Sequence, residues 1–462
     1  MNISTLDISI IIVYLVVIFL FGLFLSIKEG AEDYFVNNRK TKLLFLIFTA
    51  LSTSVGAGTV LGVASAGFQT GISFGVLFMI ASAVGWVLTA MLAPRIKAFG
   101  DANSAYTFGD YLAYQYSNRT RKIGRLVVLI AYFFATGIQF VAFAQLINVT
   151  TNLSFTPALL IVALVTVIYT TLAGVKGDFY TDAVQFFVML PVFIFLLIKG
   201  FALVSVTDLF TNLPPGYLNL YNYDGAPVFW AGILFAFPLI LTSADAWQRI
   251  FAAESAKVAR RAFYWAGLLK VIVIATAIII GLLALRIVPD APADGAMFAL
   301  MAEVLPSGLL GLGLASVLAI IMSTVDTGIM IGSATITKDF YLVRRPDASE
   351  KDILKVGRIS ALLFGLGGLA IAYFVQDIIV LAIISVQVLL VFAPTLLGGL
   401  VWNVKNETAA FWSVLLGFIV TIAVLPFDAN KAFIPGLIVS VIVYIAPLIY
   451  RKFKAKAVPV VE

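Results

Sequence analysis

A run of hydroxyl and carboxyl side chains interrupts an apolar stretch of the chain that is long enough to cross a bilayer. Its members are Ser323, Thr324, Asp326 and Thr327. They supply only oxygen atoms, which suit a hard cation better than a transition metal. On a helix, positions 323, 326 and 327 share one face. The run predicts a cation site, since a carboxylate in lipid needs a partner or water. The alternative is that the hydroxyls bond to their own helix while Asp326 pairs locally.

Composition determines the class of protein that could hold such a site. The chain has 462 residues, of which 62% are hydrophobic and 12% charged, and its mean hydropathy is +1.06. Soluble domains are about 45–50% apolar and about 25% charged. We therefore expect an all-α polytopic membrane protein that forms one domain over residues 1–462. The chain has no Cys and no His, which removes thiol nucleophiles, iron–sulfur ligands and the commonest general base. We expect no enzyme activity.

Hydropathy predicts about thirteen transmembrane helices of roughly 20 residues each. They lie near residues 7–27, 43–68, 71–94, 123–152, 155–174, 178–204, 228–252, 259–288, 307–337, 357–375, 377–402, 408–426 and 432–450. Thirteen spans place the two termini on opposite sides of the membrane.

The basic residues predict the orientation. If the N-terminus is outside, 26 of the 30 lysines and arginines fall in the inner loops and the C-terminal tail. The exceptions are Lys199, Lys270, Arg286 and Lys431. This distribution follows the positive-inside rule. It predicts a multi-pass plasma-membrane protein with a cytoplasmic C-terminus, and it explains the net charge of +6 without nucleic acid.

Two predicted spans carry interruptions. The span 43–68 contains Gly56 and Gly58 among hydroxyl residues, and each glycine costs roughly 1 kcal/mol in a helix relative to alanine. The span 228–252 contains Pro238, which removes a backbone hydrogen bond. Interruptions in both halves of a chain are typical of inverted-repeat transporters with a site at the middle of the membrane. Alternatively, the glycines only let helices pack closely.

Four motifs, in order along nearly the whole chain, resemble those of the sodium:solute symporter family. They are Glu32-Asp33-Tyr34-Phe35 with Arg39, Thr181-Asp182-Ala183-Val184-Gln185, Met322-Ser323-Thr324-Val325-Asp326-Thr327, and Ala393-Pro394-Thr395-Leu396-Leu397-Gly398-Gly399-Leu400-Val401-Trp402. The resemblance implies a five-plus-five inverted repeat with broken first and sixth core helices. The repeats would cover 43–204 and 228–402, with an extra helix at 7–27 and two at 408–450.

The same resemblance implies the ion sites. The main sodium site would use the carbonyls of Val55, Gly58 and Ile320 and the hydroxyls of Ser323 and Thr324. Carbonyls freed by unwinding are acceptors for a cation, which fits this assignment. A second sodium site, present in some members, would use Asp182 with Ser323, Asp326 and Thr327. Either carboxylate could be protonated instead. Alternatively, Asp182 lies solvated at the inner interface.

The candidate solute ligands are polar residues on several spans, namely Thr59, Gln139, Asp245, Lys270 and Gln387. Buried amides often serve only to join helices. Arg249 could pair with Asp245, four residues earlier on a helix, and we expect it to have a structural role. Lys270 could reach Asp245 or a solute carboxylate. Proline-transporting members carry an aspartate where this chain has Ala57, which argues against proline.

The sequence therefore predicts a sodium-coupled importer of a small polar organic solute of the amino acid, sugar or carboxylate class. It would work by alternating access, with sodium binding favouring the outward-open state. The alternatives are a proton-coupled symporter of the same fold, in which Asp182 or Asp326 titrates, and a sensor that binds solute without moving it.

Overall fold

The computed structural model describes residues 3–26, 30–151, 153–376, 378–429 and 431–456. Within these ranges the chain is helical and has no β-strand, and one isolated bridge joins Thr41 to Ala253. Residues 58–62 and 337–341 form π-helical turns, and 37–39 and 293–295 form 3₁₀ turns. The predicted all-α class is confirmed.

The α-helices follow in chain order. They are α1 (Thr5–Ser26), α2 (Ala31–Val36), α3 (Leu43–Ser54), α4 (Val63–Thr70), α5 (Ser73–Ala102), α6 (Phe108–Gln115), α7 (Asn118–Thr151), α8 (Phe155–Leu203), α9 (Val206–Thr211), α10 (Gly225–Ala236), α11 (Leu239–Thr242), α12 (Ala244–Ala252), α13 (Ala256–Ile287), α14 (Ala296–Val304), α15 (Leu309–Ile336), α16 (Leu342–Arg344), α17 (Glu350–Phe374), α18 (Ile378–Leu390), α19 (Ala393–Trp402), α20 (Glu407–Val424) and α21 (Phe433–Lys456).

Among the described residues, eight helices are long and apolar enough to cross a bilayer, or up to ten spans if two bent pairs each count as one. Gly174, at φ 65°, divides α8 into two of these spans, close to the predicted boundary between 155–174 and 178–204. The predicted spans 7–27 and 432–450 coincide with shorter apolar helices, and the first part of 228–252 overlaps the apolar helix Gly225–Leu234. A polytopic helical chain is confirmed, and the number thirteen stays a prediction.

Both predicted interruptions are breaks in helical structure. The pair α3–α4 bends by 59°. Helix α10 ends at Ala236, just before Pro238, and a second interruption at Ser243 separates α11 from α12. A bend of 42° between α18 and α19 was not predicted. Its signal in the sequence is Pro394, in the first turn of α19.

Helix α15, which carries the predicted cation site, is the most enclosed of the eight. In its apolar part 83% of the residues are buried, against at most 67% in the others. It packs against α1, α7, α8 and α17. The contact with α17 is close at Gly332, where an added Cβ would overlap with the ring of Phe364. The hydroxyl and carboxyl residues of α15 are therefore surrounded by protein.

The N-terminal helix α1 caps α15. Asp7 Oδ1 accepts hydrogen bonds of 2.7 Å from the backbone N–H groups of both Gly308 and Gly311. The first N–H groups of a helix have no partner within it, and a carboxylate there also interacts favourably with the helix dipole. Asp7 thus fixes the start of the helix that carries the predicted cation site.

Candidate functional site

The centre of the candidate site is the break between α3 and α4. Helix α3 ends at Ser54, and Val55 has φ −98° and ψ 63°, outside the helical region. Helical structure resumes in the π-turn that begins at Gly58. The local reason is composition, because three hydroxyl residues at positions 52–54 compete for backbone groups and two glycines follow.

Three of the predicted solute ligands hold this break. Gln139 Oε1 accepts a hydrogen bond of 3.1 Å from the N–H of Ala57. Lys270 Nζ donates to the carbonyl of Ser54 and, over 2.8 Å, to Thr59 Oγ1. Thr59 Oγ1 also donates to the Ser54 carbonyl over 3.1 Å. The ammonium group thus lies at the C-terminal, partially negative end of α3.

Helix α15 faces the break with part of the predicted main sodium set. Thr324 Oγ1 lies 3.2 Å from the carbonyl oxygen of Ile320 and 3.3 Å from that of Thr53. A Cβ added at Gly56 would lie 2.8 Å from Thr324 Oγ1, so the unwound backbone and α15 are in direct contact. The Ser323 hydroxyl instead donates to Asp182.

Asp182, on the second half of α8, is completely buried. Its Oδ2 accepts hydrogen bonds from Thr49 Oγ1 over 2.6 Å and Thr53 Oγ1 over 3.2 Å, and its Oδ1 accepts from Ser323. The alternative of a solvated Asp182 at the inner interface is therefore wrong.

Arg249 lies at the centre of this buried group and does not pair with Asp245. Its Nη2 donates to Thr327 Oγ1 at 2.8 Å and to Asp182 Oδ2 at 3.2 Å. Asp178 Oδ2 is 3.4 Å from the same nitrogen, and Thr53 Oγ1 is a further partner. The local pair that the spacing allowed does not form, because Arg249 points across the bundle toward α8.

The other two residues of the predicted second sodium site, Asp326 and Thr327, bind different partners. Thr327 Oγ1 lies 3.1 Å from Asp178 Oδ2, whereas Asp326 accepts a hydrogen bond from Thr170 on the first half of α8. In the part of the chain that the structure describes, no three acidic side chains are grouped closely enough to hold a metal ion. Any cation here would depend on hydroxyl and carbonyl ligands as well.

Two adjoining cavities lie beside the break, with volumes of about 190 Å³ and about 300 Å³. Ser54, Thr59 and Phe78 line both. The smaller one is also lined by the charged residues Asp245, Arg249 and Lys270, and the larger one is mostly apolar.

The other two predicted solute ligands also line these cavities. Asp245 Oδ1 accepts hydrogen bonds from the hydroxyls of Tyr132 and Ser243 in the smaller cavity. Gln387 lines the larger one, and its Nε2 donates to the carbonyl of Ala429 over 2.7 Å. Gln387 therefore also joins α18 to the segment before α21.

Comparison with known proteins decides the family. The model of the sodium:solute symporter family matches residues 34–417. The chain belongs to this family. Members of this family are transporters and not enzymes. The chain therefore transports a solute by alternating access, and sodium is its coupling ion.

Individual relatives of this symporter carry different solutes. The sodium/pantothenate symporter of Haemophilus influenzae is 28% identical, with 76% of this chain and 75% of the relative covered. The sodium/myo-inositol cotransporter 2 of Oryctolagus cuniculus is 26% identical, with 89% and 68% covered. The fold is similar to that of a solved Na⁺-coupled sialic acid symporter, with a TM-score of 0.83, 17% identity, and 97% and 98% of the two chains covered.

Several residues of the symporter's site were missed from the sequence. Asp178 precedes Asp182 by four residues, so the two share a helix face, and this spacing is a signal that could have been used. Tyr132, which holds Asp245, and Asp7, which caps α15, gave no comparable signal.

Proposed function

We propose that this symporter imports a small polar organic solute of the amino acid, sugar or carboxylate class together with sodium. The main sodium would bind at the α3–α4 break, to the carbonyls of Val55, Gly58 and Ile320 and the hydroxyls of Ser323 and Thr324. The observation that carries this proposal is the position of the Thr324 hydroxyl, which lies 3.3 Å from the Thr53 carbonyl oxygen and would lie 2.8 Å from a Cβ added at Gly56 in the unwound segment. Neutral oxygen ligands suit an ion that must bind and leave in each cycle.

A second sodium at Asp182, Ser323, Asp326 and Thr327 is the less favoured arrangement. Arg249 Nη2 already lies within 3.2 Å of Asp182 and 2.8 Å of Thr327, so it supplies the positive charge that a second ion would bring. A sodium ion bound to these two residues would require the guanidinium to move away.

The solute would bind in the two cavities beside the break, where Thr59, Asp245 and Lys270 supply polar contacts. Gln139 and Gln387 also line the larger cavity. We assign both side-chain amides primarily a structural role, because Gln139 accepts a hydrogen bond from the N–H of Ala57 and Gln387 donates one to the carbonyl of Ala429.

The test of the sodium site is the sodium dependence of solute uptake in proteoliposomes, together with thermal unfolding of the purified protein in sodium or potassium. Sodium alone should raise the unfolding temperature because it binds the native state. Thr324→Ala should weaken sodium binding by about tenfold, since one ligand interaction of ~1.4 kcal/mol is lost.

Matched control variants exist on the same fold. Thr421, on α20, donates a hydrogen bond to the carbonyl of Gly417, four residues earlier, as Thr324 does to the carbonyl of Ile320. Ser316, on α15 itself, bonds to the carbonyl of Gly313 and controls for Ser323→Ala. Thr421→Ala and Ser316→Ala should leave the sodium response intact. An equal loss in Thr421→Ala and Thr324→Ala would contradict the assigned site.

Family membership favours sodium over protons as the coupling ion. A proton gradient should therefore not replace a sodium gradient in the uptake assay. If it does, and if Asp182→Asn or Asp326→Asn removes this effect, the proton-coupled alternative takes precedence.

We also propose the orientation with the N-terminus outside and the C-terminus in the cytoplasm. The chain has no native Cys, so a single introduced cysteine reports its side of the membrane without background. Asp290 and Asp347 are both exposed in loops. A membrane-impermeant maleimide on intact cells should label Asp290→Cys and not Asp347→Cys, and the reverse pattern would invert the topology.

A further inference from the structure

The smaller cavity is lined by three charged side chains, Asp245, Arg249 and Lys270. Arg249 is already paired with Asp178 and Asp182, whereas Asp245 and Lys270 do not pair with each other. Lys270 is 2% exposed and Asp245 is half-buried. Among the ion pairs of the described residues, none joins Lys270 to Asp245 or either of them to another charged group. Two enclosed opposite charges that remain apart are costly unless a ligand completes them.

Each charged group keeps hydrogen-bonding capacity for a ligand. Lys270 Nζ has three donors, and the described contacts use two of them, to the Ser54 carbonyl and to Thr59 Oγ1. On Asp245, the hydroxyls of Tyr132 and Ser243 both donate to Oδ1, so these partners leave Oδ2 available. The same contacts fix both side chains in position before a ligand arrives.

Charge complementarity selects among the three solute classes. A carboxylate bound to Lys270 alone would leave Asp245 uncompensated, so that these two side chains and the ligand would together carry a net negative charge. A sugar would offer only neutral hydroxyls to both groups. A zwitterion places its carboxylate on the ammonium of Lys270 and its ammonium group on Asp245, and the summed charge of these two side chains and the ligand stays zero.

The neighbouring cavity determines the rest of the ligand. It joins the charged cavity along Thr59, Phe78 and Val386 and continues over Phe74, Leu77 and Ile138. We propose that the solute is a zwitterionic amino acid with an apolar side chain, with Asp245 and Lys270 as its specificity-determining residues. This inference rests on the proposed function, since it specifies the cargo of the same sodium-dependent site.

The test is thermal unfolding and calorimetric titration of the purified protein in sodium, with matched ligands. A panel of glycine, alanine, valine, leucine, phenylalanine and betaine samples the zwitterions. 4-Methylpentanoate and 3-methylbutylamine are leucine without its amino group and without its carboxylate. We expect at least one apolar zwitterion to bind about tenfold or more tightly than its two truncated analogues, because each analogue leaves one of the two charged side chains unpaired.

Two variants separate recognition from folding. In Asp245→Asn the binding preference for the zwitterion over its deaminated analogue should disappear, whereas sodium should still stabilise the protein. Lys270→Gln should remove the preference over the decarboxylated analogue. The inference is overturned if sodium stabilises the protein but no zwitterion does, or if 4-methylpentanoate or myo-inositol binds as well as the best amino acid. Failure of sodium itself to stabilise the protein would instead contradict the proposed function.

Discussion

Replacing Arg249 by methionine tests how the buried carboxylates of α8 are compensated. The guanidinium is completely buried, and its Nη2 lies within 3.4 Å of both Asp178 and Asp182. Its carbon atom also lies 4.9 Å from the ring centroid of Phe179. Methionine keeps an unbranched apolar chain and removes the charge, so two buried carboxylates remain without a cation.

The expected cost of Arg249→Met follows from that geometry. Breaking a buried ion pair by removing one partner costs about 3–5 kcal/mol. The unfolding temperature without sodium should therefore fall clearly below that of the wild type. Added sodium should recover part of this loss, because it can take the place of the guanidinium. A ligand that binds only the native state and is present at a hundred times its Kd adds about 2.7 kcal/mol to the free energy of unfolding.

The assay is thermal unfolding of the purified protein over a series of sodium concentrations at constant ionic strength, with potassium as the reference. Arg121→Met is the matched control, because Arg121 pairs with Asp110 and Asp339 away from the break. It should lower stability without changing the sodium response. The reasoning is refuted if Arg249→Met is as stable as the wild type without sodium, or if sodium stabilises both proteins equally.

Three further predictions concern the elements around the break. Asp7→Ala should destabilise the protein by about 1 kcal/mol, the typical worth of an N-cap, and should leave sodium affinity in titrations unchanged because it acts at the other end of α15. Gly56→Ala should weaken sodium binding, since its Cβ would lie 2.8 Å from Thr324 Oγ1, whereas Gly62→Ala has no atom within 4 Å and should bind sodium normally. In Lys270→Gln, solute should no longer change the sodium affinity, which titrations of sodium with and without solute would measure.

Much of the fold could be predicted from local properties of the sequence. Hydropathy located the helices because each must bury its backbone groups internally in lipid. The break after Ser54 was predictable because hydroxyls and glycines cluster there. The bend before α19 was missed because Pro394 stands in the first turn of a new helix, where proline is tolerated.

The partners of buried charges could not be predicted in the same way. Local spacing allowed Arg249 to pair with Asp245, yet the fold turns the arginine toward α8 and gives Asp245 to Tyr132. Spacing along one helix reports only neighbours on that helix, whereas these contacts join residues more than 60 positions apart. Such pairings follow from the packing of helices, and periodicity does not encode them.

Lys270 gives a physical reason for the ion and the solute to influence each other. Its ammonium group donates to the Ser54 carbonyl, immediately before Val55, and it also lines the solute cavity. A solute carboxylate that draws the ammonium toward the cavity would reduce positive charge at the end of α3, where sodium is proposed to bind. Sodium at the break would repel the ammonium toward the solute in turn. Linkage requires this reciprocity of any coupling free energy. It explains why removing the charge of Lys270 should uncouple the sodium affinity from the solute affinity and not merely weaken one of them.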